Sequence, residues 1–158
     1  QKELDSLKNK IPKIEETISL AKPNTKFEIF KGKEGIKTIF EDILKYKNIY
    51  IIGGGFYLVK ELPHFWPQYN ERRIKAKCVW HNLVIHELKN NIPETKFVNY
   101  KILPKEFSGN PIAIIIYENK VVQLSWLEDK FAILIENKHI AENYKKYHKY
   151  LWQKVAEK

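Results

Sequence analysis

The chain has 158 residues, 44% hydrophobic and 13% aromatic, enough for one packed domain and too apolar for a disordered chain. Its longest aliphatic run, Ile112 to Ile116, is far shorter than a membrane span, and its single cysteine excludes an internal disulfide, so a reducing, cytoplasmic setting is expected. The net charge of +9 raises the expectation of an acidic partner, but lysines run from Lys2 to Lys158 without a block, so charge alone does not select nucleic acid. A chain that opens at Gln1 and lacks methionine reads as a fragment of a longer protein.

Leu4, Leu7, Ile11, Ile14, Ile18 and Ala21 alternate spacings of three and four, the heptad seam of a helix that wants a partner. Either the helix packs on its own domain, or it ends a coiled coil between subunits; Pro12 should kink it or start a new helix. Pro23-Asn24 closes the segment, giving a linker over 1–23 and a domain over 24–158. KFEIFK alternates as a strand. EGIKTIFEDILKYK then places Ile36, Ile39, Phe40, Ile43 and Leu44 on one helical stripe. NIYII reads as a buried strand stopped by Gly53, Gly54 and Gly55, with no clear helix after them. ELPHFWPQYNERR is a short helix broken by prolines, AKCVW a strand, VIHELKN a short helix and KFVNYKI a strand. NPIAIIIYENKVVQLSW is a hairpin over a polar turn, FAILIE a last strand, and HIAENYKKYHKYLWQKV a final amphipathic helix. Its packed face is Ile140, Tyr144, Tyr147, Leu151 and Val155, with Lys145, Lys146 and Lys149 outside it. Strands alternating with helices and then meandering imply an α/β fold with a mixed sheet.

Chemistry is sparse. The three glycines end a buried strand, where α/β folds keep ligand sites, but they form neither a GxGxxG nor a phosphate loop. They are either a tight turn or a ligand-facing one. The five histidines show no zinc spacing, no CxxC exists, and Asp5, Asp42 and Asp129 lie on unrelated elements, so no metal site or cofactor is expected. Cys78 and His81 point to opposite faces of a regular strand; Cys78 suits the core and His81 a pocket.

From Phe27 to Gly55 the chain resembles the start of the regulatory domain of TrmB-type archaeal transcription regulators, through Gly32, Glu34, Gly35, Ile36 and Gly53. ERRIKAKCVW and the closing Leu151-Trp152 extend the resemblance over residues 26–153. It implies a phospholipase D-like mixed sheet flanked by helices, preceded by a linker helix that dimerises through Leu4, Leu7, Ile11, Ile14 and Ile18. It also implies a winged helix-turn-helix upstream that contacts DNA. Enzymes of that fold carry HxKxxxxD on such a hairpin. Here Pro111 holds the His position and Ala113 the Lys position, Glu118 and Leu124 replace Asp and Gly, and Ser125 remains. Without the nucleophile and the phosphate-binding lysine, the expectation is no enzymatic activity. The expected role is effector sensing and dimerisation. A small polar effector such as a sugar would sit near Gly53, Gly54, Gly55, Tyr57, His81, Ser125 and Trp126. The alternatives are a phosphodiesterase or nuclease with a rearranged site using His81 or His86, and a basic nucleic-acid-binding domain.

Overall fold

A computed structural model describes the backbone of residues 1–21 and 25–158 and the side chains of 1–14 and 25–158. Helix α1 (Lys2–Ala21) is followed by β1 (Lys26–Lys31), α2 (Gly32–Ile43), β2 (Asn48–Gly54), α3 (Tyr57–Glu61), α4 (Trp66–Lys75) and β3 (Val79–Val84). After these come β4 (Val98–Ile102), the hairpin β5 (Ile112–Tyr117) and β6 (Lys120–Ser125), β7 (Phe131–Glu136) and α5 (Lys138–Tyr150). One seven-stranded sheet has the order β1-β7-β6-β5-β2-β3-β4. Strands β2, β3 and β4 run parallel, and β5, β6, β7 and β1 form an antiparallel meander joined to β2 through β5. The mixed α/β architecture expected from the sequence is the one observed.

Alternation along each strand sends residues to two faces. One face carries Ile49, Ile51, Trp80, Val84, Ala113, Ile115, Val122, Leu124 and Leu134 into the main core, covered by Ile36, Ile39, Phe40 and Ile43 of α2. Phe40 is its hub, with ring centroids 5.7 Å from Tyr69, 6.1 Å from Trp80 and 6.4 Å from Trp126. The opposite face packs Tyr50, Ile52, Ile114, Ile116 and Val121 under Ile140, Ala141 and Tyr144 of α5.

Several local expectations are corrected. Pro12 lies inside α1 without ending it. All of residues 1–14 are exposed, so the carbonyl that proline leaves without a partner can meet water. Helix α2 starts two residues early and stops at Ile43, where turn bonds from Lys45 and Tyr46 replace the helical ones. The glycines are followed by a helix, α3, entered through Phe56 at φ 51°. Strand β3 runs on to Val84, leaving only a single turn of 3-10 helix at His86–Leu88. On α5 the packed face is rotated: His148 is buried, Tyr147 is exposed, and the helix ends in a wider turn at Leu151–Val155. Ile18 and the boundary expected at residues 23 and 24 fall outside the described side chains.

The described part of α1 decides one open question. Leu4, Leu7, Ile11 and Ile14 are 60%, 61%, 52% and 57% exposed, so over these residues the seam does not pack on its own domain.

Candidate functional site

The strand-end glycines are shaped by their neighbours. Gly53 adopts φ +79°, a left-handed backbone that favours glycine. Gly54 passes so close to Asn82 that a Cβ would collide with its side-chain amide, and one on Gly55 would enter the Tyr57 ring. The run is the irregular end of β2, and at Gly54 and Gly55 it presses the backbone against side chains of the protein itself.

Beyond it lies a cavity of about 40 Å³ bounded by Gly54, Gly55, Tyr57, Asn82, Ala113 and Trp126, among others. The Asn82 Oδ1 is buried and has no hydrogen-bond partner among the described residues. A void of this size holds a water molecule, which would satisfy that oxygen, and is far too small for a sugar. Tyr57 and Trp126 stand 6.3 Å apart, and burial, helped by Glu87, pushes the Tyr57 hydroxyl pKa up.

Of the residues expected to bind an effector, Gly54, Gly55, Tyr57 and Trp126 meet at this cavity. Gly53 precedes Gly54 in the chain but does not line the cavity; a Cβ on it would lie 3.1 Å from the Ile112 carbonyl oxygen. Ser125 is buried but does not line the cavity: Leu124 and Trp126 on either side of it do, and its Oγ accepts from the Leu127 N–H at 3.4 Å. His81 is not part of the cluster. Its neighbours Trp80 and Asn82 point to the cavity side, so the strand pleat turns His81 to the other face, onto Tyr50 at 5.0 Å.

The hairpin positions that carry chemistry in phospholipase D-like enzymes are all in view. Ala113 lies at the cavity wall opposite Leu124, and Glu118 sits in the turn at φ 50°. Cys78 is fully buried, its thiol facing the Ile43 carbonyl at 3.7 Å, and burial pushes its pKa up to about 11. Among the described residues no group of three or more His, Cys, Asp or Glu is arranged to hold a metal ion, and no helix is long and apolar enough to cross a membrane.

Sequence reasoning missed the residues gathered on the opposite face. His148 from α5 donates through Nε2 to the His81 carbonyl at 2.9 Å and lies edge-on to Tyr50 at 5.2 Å. The signal was present: His148 follows Tyr144 by four and Ala141 by seven, the spacing of a shared helical face.

No family model and no curated protein sequence matches the chain. Solved structures do. TrmBL2, an archaeal chromatin protein whose structure shows a novel mode of DNA binding, superposes with a TM-score of 0.57 at 15% identity over 99% of this chain. The chain spans 64% of the length of TrmBL2. NucT from Helicobacter pylori superposes with a TM-score of 0.60 at 10% identity, over 85% of this chain and 99% of NucT. Nuc from Salmonella typhimurium, a phospholipase D family member, gives 0.51 at 13% identity, over 83% of this chain and 96% of Nuc. At these identities the likeness establishes the fold alone. It also corrects the expectation of no enzymatic activity: the fold is shared with a family of enzymes, so Pro111 and Ala113 do not by themselves exclude catalysis. The fold is phospholipase D-like, shared with an archaeal DNA-binding protein.

Proposed function

We propose that the chain is the dimerising, effector-responsive part of a DNA-binding transcription regulator. The carrying observation is coverage. The likeness to TrmBL2 takes in 99% of the chain, hence α1 as well as the domain, whereas those to NucT and Nuc cover 85% and 83%. In this reading α1 pairs with α1 of a second copy through Leu4, Leu7, Ile11, Ile14 and Ile18, each covered side chain contributing about 1.5–3 kcal/mol. A winged helix-turn-helix preceding α1 makes the DNA contacts.

The effector of this reading, a small polar molecule such as a sugar, enters among Gly53, Gly54, Gly55, Tyr57, Ser125 and Trp126. A cavity of about 40 Å³ is too small for such a molecule, so this reading requires the residues around it to move apart on binding. The ligand shifts the dimer by binding that opened arrangement more tightly than the closed one. Likeness to a phospholipase D family member supports a second reading, phosphodiester cleavage.

Duplex promoter DNA near physiological salt, mixed with this chain or with the protein carrying the preceding segment, tests both readings when shift and cleavage are scored together. The regulator reading expects a shift that requires the preceding segment. A shift by this chain alone overturns it, and cutting by this chain puts the second reading first.

A further inference from the structure

On the face of the sheet opposite the strand-end cluster, β2, β3, α5 and the turn after α5 enclose a pocket of about 270 Å³. Its walls are rings. Tyr50 stacks on His81 at 5.0 Å and 18°, meets His148 edge-on, and His148 stacks on Trp152 at 5.6 Å and 22°. Its charges are the ammonium groups of Lys145 and Lys149, and no carboxylate lines it. Lys145 is held by the Glu118 carbonyl at 2.9 Å, while Lys149 is exposed and makes no hydrogen bond or ion pair among the described residues.

Both imidazoles are pinned. The His81 Nε2 faces Asn48 Oδ1 at 3.0 Å and its Nδ1 faces the Asn99 amide at 3.4 Å. The His148 Nε2 faces a carbonyl, so it must be the protonated nitrogen. Burial holds both pKa values below the ordinary histidine value, and both rings stay neutral at pH 7. The histidines therefore back the pocket with neutral rings packed against Tyr50 and Trp152, His148 being buried, and the pocket keeps its positive charge at the lysine rim. Lys101 braces the far wall, donating to the Trp152 carbonyl at 2.7 Å with its Nζ 5.4 Å from the ring.

A wall of aromatic faces selects a planar ring, and unopposed ammonium groups select an anion. The volume lies just below the ~300–1,000 Å³ of ordinary small-molecule pockets, which limits the ligand to a single such unit. We propose that this pocket binds a nucleoside monophosphate, its base against Tyr50 and Trp152 and its phosphate on Lys145 and Lys149. The site is separated from the strand-end cluster by the sheet and does not depend on the regulatory reading.

The test is calorimetric titration of the chain with AMP, adenosine and inorganic phosphate, alongside amide chemical-shift mapping. AMP should bind at least about 10-fold more tightly than either half, since stacking and phosphate contacts act together. Shifts should centre on Tyr50, His81, His148 and Trp152. Lys149→Glu should weaken AMP about 10-fold, and Lys146→Glu, on the same helix but outside the pocket, should leave it within about twofold. Trp152→Leu should remove the preference for AMP over phosphate, its fold checked by the spectrum. Failure to detect AMP binding, phosphate binding as tightly as AMP, or equal losses in Lys149→Glu and Lys146→Glu would each overturn the proposal.

Discussion

Arg72 and Arg73 are adjacent in sequence and opposite in physics. Arg73 is fully buried on α4 and makes no ion pair with a carboxylate among the described residues. Its guanidinium donates to the carbonyls of Cys78, Lys96 and Phe97, to Asn70 Oδ1 and to Thr95 Oγ1, and lies 4.9 Å from the Trp80 ring. One planar fork thus ties α4, the entry to β3 and the entry to β4 together. Arg72 makes a bidentate pair with Glu41 at 2.6 and 2.7 Å, but both side chains are in solvent. Arg73→Leu should cost about 3 kcal/mol or more, because several buried acceptors lose their donor at once, and Arg73→Lys should recover little without the fork. Arg72→Ala should cost less than about 1 kcal/mol. Denaturant titrations of the three variants would measure this order; similar losses for Arg72→Ala and Arg73→Leu would refute it. The two arginines are alike in composition, and only the four-residue spacing from Tyr69 marks Arg73 as inward. His148 was hidden in the same way, inside a stretch of lysines and tyrosines whose polarity suggests a solvated face. Cys78, read as core from its position in an apolar strand, is core, and its raised pKa predicts a thiol unreactive to an aromatic disulfide reagent until the chain unfolds.

Between elements, a charged polar tie joins the end of α2 to the hairpin. Asp42 accepts from Lys120 Nζ at 2.6 Å and from Tyr117 Oη at 2.9 Å, bringing both ends of the β5–β6 turn onto the last turn of the helix. Burial alone would raise the Asp42 pKa, but hydrogen bonds from Lys120 and Tyr117 outweigh it and hold the carboxyl below its usual value of 3.8. A lowered carboxylate pKa stabilises the fold above the unfolded value, and that contribution disappears as pH falls through the folded one. Asp42→Asn should therefore lose about 2 kcal/mol at pH 7 and show a flatter decline in stability below pH ~4 than the parent. Denaturant midpoints at several pH values test this, and parallel acid declines in the two proteins would count against it. The histidines act in a different window: with pKa values lowered by burial, His81 and His148 favour the folded state more as pH rises through the ordinary value of 6.5. The elements themselves were largely legible, because hydrophobic periodicity tracks burial, and β1 and β7 fall where alternation puts them. Element ends were less so. The stop of α2 depends on turn bonds, and the length of β3 on parallel pairing with β2 and β4, which no local pattern records. The pleat of β3 decided the rest of the site: it turns His81 to the face opposite the one on which Asn82 meets the glycines.

At the scale of the whole molecule, two apolar surfaces near the N-terminus are left open among the described residues. One is the α1 seam. The other is the outer face of edge strand β1, where Phe27 and Ile29 are 69% and 67% exposed. Both could hold copies together, and their chemistry differs. The seam repeats every three and four residues over at least three helical turns, so two copies can interlock side chains along its length. Strand β1 offers two large side chains flanked by Lys26, Glu28 and Lys31, a small patch whose charged neighbours oppose a second strand laid alongside. Association should therefore run through α1. If the chain dimerises as proposed, Leu7→Glu with Ile11→Glu should leave a monomer in sedimentation velocity without changing the unfolding transition of the sheet domain, since neither residue touches that core. Phe27→Glu with Ile29→Glu should leave the dimer intact and shift stability by less than about 1 kcal/mol. If the β1 pair abolishes association and the α1 pair does not, the copies meet edge to edge through their sheets. The proposed route from the domain through the helix would then be replaced by one through the strand edge.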